Sequence, residues 1–197
     1  MRKSLLLGLV LALGFTAGQV MSKDDPNRPS EDMKKAMEIN GTPGPEHVHL
    51  KALEGKFDVR ARATMDPSQP PKEAEGKCEQ KMFYGLFLKE EFEGKCPITG
   101  EDLHGIGFTG YDKAKGKYVS TWLDSLSSGI MFNEGTADAS GKVITFHGAC
   151  TDPLTGKENR VRSVLTIVDD KKHVFEMYRA GPDGKEFRSL EITYIRK

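Results

Sequence analysis

From Gly55 to the C-terminus the hydrophobic pattern has a period of two, broken by turn signals roughly every eight to twelve residues. This rhythm constrains the fold more than any other feature. Phe57, Val59, Ala61, Ala63 and Met65 alternate with Lys56, Asp58, Arg60, Arg62 and Thr64. Such alternation marks a half-buried strand. Asp66 to Pro71 is a proline-rich loop, and Ala74–Phe83 and Leu86–Phe92 read as the next strands, hinged near Tyr84-Gly85. Further strands are expected near 104–111, 117–124, 129–136, 142–150, 159–168, 173–180 and 185–196. The turns between them carry Asp138-Ala-Ser-Gly141, Asp152-Pro-Leu-Thr-Gly156 and Gly181-Pro-Asp-Gly184. No helical pattern follows residue 54. About ten strands with short sequential connections pair neighbour to neighbour. A meander of that length splits into two sheets or closes, and closure removes the edges. The expected fold is therefore all-β, an antiparallel up-and-down barrel of about ten strands.

The residues before Gly55 follow a different plan. Arg2 and Lys3 precede an apolar run from Leu5 to Phe15, and small residues stand before Gln19 and again before Lys23. This is the pattern of a secretory signal peptide over 1–18, with cleavage as late as residue 22. The run falls short of the ~20 apolar residues of a membrane span, so none is expected once the signal is removed. The protein is expected to be exported, either periplasmic or secreted. Residues 19–42 read as a polar leader and a short helix, with Ser30 as N-cap, Glu31 and Asp32 in the first turn, and Gly41 as the stop. Glu46–Leu53 can form another turn or two of helix, and 43–197 is expected to be a single barrel domain.

Removing the signal takes Arg2 and Lys3 from 29 basic residues and nothing from 29 acidic ones, leaving a net charge of −2. Both signs are interspersed, so no electrostatic footprint for nucleic acid is present. The three cysteines, Cys78, Cys96 and Cys150, have no zinc spacing and no Cys-x-x-Cys. They read as small core residues with room for at most one bridge.

Few residues carry recognisable chemistry. Gly105, Gly107 and Gly110 match the bare spacing of a dinucleotide loop, but a strand and a hairpin follow instead of a helix. They read as strand positions where something packs closely. His47 and His49 are two potential metal ligands, too few for a site, and read as a solvated or helix-capping pair. His104, His147 and His173 lie in strands; each is a conceivable haem ligand, but the ordinary reading is structural. No cofactor motif is present. Glu90, Glu134, Glu176 and Glu191 recur inside strands, joined by Asp124, Arg160 and Arg162. They form either a solvated outer face of cross-strand ion pairs or a polar patch inside a ligand-holding barrel. In the second case an arginine such as Arg162 is expected beside the carboxylates. Placing residue 137 opposite 142 sets Glu134 against Thr145. Placing 180 opposite 185 sets Glu176 and Glu191 on one face as diagonal neighbours, with Phe175, Met177, Leu190, Ile192 and Tyr194 on the other.

Several short pieces occur in a recognisable order: Pro43-Gly-Pro-Glu-His47, Leu53-x-Gly55, Gly107-x-x-Gly110-Tyr-Asp112, Tyr118-x-x-x-Trp122-x-Asp124-Ser125, Gly135-Thr136-x-Asp138, Phe175-Glu-Met-Tyr178 and Glu191-Ile-x-Tyr194-x-Arg196. From about Pro43 onward the chain resembles the domain of unknown function 1579 family of uncharacterised bacterial proteins. That family is similar to lipocalin-like, or calycin, barrels. The resemblance implies a β-barrel with a central cavity, without a substrate or a reaction. Two departures stand out. Gly55-Lys56-Phe57 replaces the Gly-x-Trp common at the first strand. Tyr84-Gly85-Leu86 replaces an expected Gly-Gly-Arg, which removes an arginine expected in the interior.

Three functions follow in order of expectation. The first is a binding protein for a small, mostly apolar ligand, with Trp122 stacking on it and Asp124, Glu134, Arg162, Glu176 or Glu191 fixing a polar end. The second is a packed barrel that meets partners through its outer face or N-terminal helix. The third is a hydrolase-like enzyme using interior glutamates as acid and base. No oligomeric state is specified.

Overall fold

The computed structural model describes residues 29–152 and 155–197. The expected signal peptide lies outside these residues, as do most of the leader and two positions of the Asp152–Gly156 turn. The chain divides into two compact units, 1–37 and 38–197. Helix α1 (Glu31–Gly41) begins in the first, where the Ser30 hydroxyl accepts the Met33 N–H at 3.1 Å, an N-cap. None of its residues is buried.

The second unit carries helix α2 (Pro45–Ala52) and ten strands: β1 (Gly55–Ala63), β2 (Lys72–Phe83), β3 (Phe87–Lys95), β4 (Asp102–Asp112), β5 (Lys117–Asp124), β6 (Met131–Ala137), β7 (Val143–Thr151), β8 (Glu158–Ile167), β9 (Lys172–Ala180) and β10 (Glu186–Arg196). Each strand pairs antiparallel with its neighbours in sequence, and β1 also pairs with β10, so the barrel closes without an edge. The all-β barrel expected from the alternation is present. Among the described residues no helix is long and apolar enough to cross a membrane.

The register explains which expectations hold. Ala137 pairs with Ile144, so Glu134 faces His147, two residues from the expected Thr145. A bulge near Ser189 shifts β10 against β9, so Glu176 sits directly opposite Glu191. Both of these offsets are two residues, which preserves the face of a side chain; between Arg188 and the β9–β10 turn the offset is one, and the bulge adds the second. Phe175, Met177, Leu190, Ile192 and Tyr194 accordingly share one face, the interior. Met65 departs from the pattern. β1 ends at Ala63, where Thr64 and Asp66 turn the chain by hydrogen bonds to Asp66 C=O and to Ser68, and Met65 is left exposed.

Helix α2 covers one end of the barrel. Its entry is set by Pro45 and by His47, whose Nδ1 accepts the Gly44 N–H at 2.9 Å. Leu50 and Leu53 are sealed against Leu88, Tyr118, Ile144, Phe146 and Ile167. Each leucine so buried contributes about 1.5–3 kcal/mol. The Tyr118 hydroxyl donates to the Glu46 carbonyl at 3.2 Å and ties the helix to β5. Of the histidine pair, His47 therefore caps the helix. At this same end Tyr84 and Gly85 both take positive φ and the Leu86 N–H donates to Phe83 C=O, the form of a type I′ turn. Residues 84–86 thus form the β2–β3 turn.

The strand glycines pack against rings. A Cβ at Gly105 or Gly107 would strike the Trp122 indole; one at Gly76 or Gly94, the Phe92 ring; one at Gly135, first the Thr145 carbonyl and then Phe146. Large side chains lie flat across the neighbouring strand at these points, which is why the wall lacks side chains there.

Candidate functional site

The interior is lined by alternate residues of every strand. Most are apolar, and one wall holds a polar cluster. Glu90 of β3 pairs with Gln80 of β2 across the ladder, and closure through β1 brings β9 and β10 to the same place. The Tyr194 hydroxyl donates to Glu90 Oε1 at 2.9 Å, and Gln80 Nε2 donates to Oε2 at 2.9 Å. The Cys78 thiol is a third partner. His173 stacks on Tyr194 at 4.2 Å between centroids and meets Phe57 edge-on at 4.8 Å. Its Nε2 lies 3.4 Å from Gln80 Nε2. The Gln80 carbonyl oxygen is buried without a partner.

Burial dominates the electrostatics. Desolvation raises the Glu90 carboxyl above its ordinary range, against the lowering effect of its three hydrogen bonds. It pushes the Cys78 thiol and the Tyr194 phenol up, and the charge of Glu90 adds to both. His173 is lowered to about 3, first by burial and then by the nearby Arg196 guanidinium, so its imidazole is neutral. Phe57 fills the place of the tryptophan expected from the family pattern, with Arg196 over its ring at 4.8 Å.

Glu90 lies deep in the barrel yet is only half-buried, as are the inward-facing Trp122, Ser120, Phe175, Met177 and Ile192. These residues line the barrel interior without being fully covered. Phe57, Val59, Cys78, Phe92 and Tyr194 form the buried part of its wall, with Leu103, Trp122, Phe175 and Ile192 packed against them. Toward the end opposite α2, Trp122 Nε1 donates to Asp124 Oδ2 at 2.9 Å, and Asp124 Oδ1 accepts the Leu126 N–H at 2.9 Å. The indole is held flat over Gly105 and Gly107 by this bond.

Two of the six residues singled out from the sequence, Trp122 and Asp124, face inward. The other four, named as ligand contacts for a polar patch inside the barrel, stand on the outer face, which is the other of the two expected arrangements. Glu134 is paired with Lys115 at 2.6 Å and Lys117 at 3.1 Å, and these bonds hold its carboxyl below the usual range. Arg162 pairs with Glu186 at 2.5 Å and lies 4.0 Å above the Tyr178 ring. Glu176 and Glu191 share Arg188, at 2.6 and 2.5 Å. All four belong to cross-strand ion pairs. A groove of about 1140 Å³ on the outer face of β10, β1, β2 and β3 is lined by charges of both signs, including Arg60, Glu75 and Glu191. The three cysteines are free, with Cys78 buried in the lumen wall and Cys150 exposed. Among the described residues no three His, Cys, Asp or Glu side chains converge as a metal site would require.

The family model for Protein of unknown function (DUF1579) matches residues 42–196. The chain belongs to this family. No curated protein matches it. Among solved structures, Rv2717c from M. tuberculosis is similar at a TM-score of 0.58 and 17% identity, over 79% of this chain and 99% of that one. The S-type phycobiliprotein lyase CPES from Guillardia theta is similar at 0.53 and 12%, over 81% of this chain and 96% of that one. At these identities the likeness is one of fold. For this DUF1579 member, closure sets Tyr194 and Glu90 side by side although 104 positions separate them. Glu90 was legible as a strand glutamate. Gln80 is its partner across the β2–β3 hairpin, whereas His173 and Tyr194 become its neighbours only through the β1–β10 pairing.

Proposed function

We propose that the protein is an exported binding protein, periplasmic or secreted, that holds one small, mostly apolar molecule in the barrel lumen. The observation that carries this reading is the accessible surface on inward-facing Glu90, Trp122, Phe175, Met177 and Ile192. Small-ligand sites combine an apolar lining with a few placed polar groups, and the Glu90 cluster is such a group. The ligand enters at the end opposite α2, passes Trp122 and Asp124, and puts its polar end against Glu90. Trp122 supplies a flat apolar contact, already oriented by its bond to Asp124.

A second reading has its own support. Phe108, Leu123 and Phe132 face outward on β4, β5 and β6, and Leu126 and Ile130 are exposed in the adjoining loop. A barrel using that face would be an interaction protein.

Titration with N-phenyl-1-naphthylamine separates the two. The lumen reading predicts saturable binding of one dye per chain, energy transfer from Trp122, the only tryptophan, and loss of binding in Ser120→Phe, which fills the lumen from β5. Binding that survives Ser120→Phe but is lost in Phe132→Ser moves the site to the outer face and favours the second reading.

A further inference from the structure

The Glu90 cluster has a property that an apolar pocket does not need. Every identified partner of the carboxyl is a neutral donor: the Tyr194 hydroxyl, the Gln80 amide and the Cys78 thiol. Donors aimed at both oxygens suit a carboxylate better than a carboxylic acid. No basic side chain is among these partners. His173, the nearest candidate, is neutral. The two arginines whose register turns them inward are committed to backbone carbonyls at the ends of the barrel, Arg196 to Ala52, Glu54 and Asp170, and Arg179 to Met65. A buried carboxylate without a counter-charge is costly. Glu90 lies on the inward-facing side of β3, opposite Gly107, where no side chain from β4 covers it.

We propose that the lumen selects a small apolar cation, a protonated amine on a hydrocarbon body, with the nitrogen against Glu90 and the body along the Phe175 and Trp122 side of the wall. This rests on the reading of the lumen as a ligand site. The cation supplies the charge that the protein withholds, and nearby aromatic faces favour it as well. An acid of the same size meets like charge at Glu90. An alcohol gains only a hydrogen bond. The order of affinity is therefore amine, alcohol, acid.

Isothermal calorimetry of the full chain with octylamine, 1-octanol and octanoate tests this. Octylamine binds at least about tenfold more tightly than 1-octanol, equivalent to about 1.4 kcal/mol, and octanoate binds most weakly. In Glu90→Gln, with its fold checked by circular dichroism, octylamine falls to the level of the alcohol. Equal affinity of wild-type protein for amine and alcohol, or tightest binding of octanoate, overturns the cation preference and leaves the lumen as a ligand site. No binding of any of the three, together with no binding of the naphthylamine dye, removes both. The wild-type ranking decides the matter alone if Glu90→Gln does not fold.

Discussion

His173 links the barrel's stability to pH. Its imidazole is sealed between Tyr194 and Phe57, and its folded pKa is about 3 against 6.5 for the free side chain. The native state therefore binds fewer protons than the unfolded state between those values. Stability from this residue is full above pH 6.5 and is lost as pH falls toward about 3. At about pH 4.5 the unfolded imidazole is protonated and the native one is not, so the loss is about two pH units at ~1.4 kcal/mol each, ~2.7 kcal/mol. Glu90 acts in the opposite direction. Its folded pKa is raised, so its contribution is present below its ordinary pKa and is lost as pH rises through the folded value. That term is common to wild type and a His173 variant and cancels between them. The assay is urea unfolding of wild type and His173→Phe at about pH 7.5 and about pH 4.5. On acidification wild type should lose ~2.7 kcal/mol more than the variant. Equal losses would refute the reasoning, because they would mean that His173 accepts a proton in the folded barrel as readily as in the unfolded chain.

Other expectations follow from packing and exposure. Leu50→Ala and Leu53→Ala each remove a leucine sealed under α2 and should cost about 2–5 kcal/mol in chemical denaturation. Gly105→Ala sets a methyl group against the Trp122 indole; it should cost about 1–3 kcal/mol and shift the tryptophan emission. Toward a thiol reagent, Cys150 should react in the native protein, while Cys78 should react only on unfolding, since burial holds its thiol protonated. Glu134→Gln breaks an exposed pairing with Lys115 and Lys117 and should leave the octylamine affinity unchanged in calorimetry.

The alternation of Phe57 with Arg60 and Arg62, and the turn residues after it, made the barrel legible from the sequence. The faces named for Glu134, Glu176 and Glu191 hold, because the register at Ala137 and beyond the Ser189 bulge is offset by two residues; between the bulge and the β9–β10 turn the offset is one. Gly105 and Gly107 were readable as points of close approach, although their partner, Trp122, was not named. The site was less legible. Glu176 stands between Phe175 and Met177, and alternation separates two faces without saying which one is inside. Glu134, Arg162, Glu176 and Glu191 satisfied the pattern of a polar patch equally well on either face. Glu90 differs from them only through contacts with Gln80 in a neighbouring strand and with Tyr194 far along the chain. The contact with Gln80 comes from the β2–β3 hairpin, and the contact with Tyr194 exists only because β10 returns to β1.

Native mass spectrometry of the protein purified from its own host tests the central claim most directly. The account predicts a folded chain carrying one small non-covalent adduct, released on denaturation and identified as an apolar amine. A clean apo mass, together with an experimental structure whose Glu90, Trp122 and Phe175 are packed against protein on every side, would contradict it.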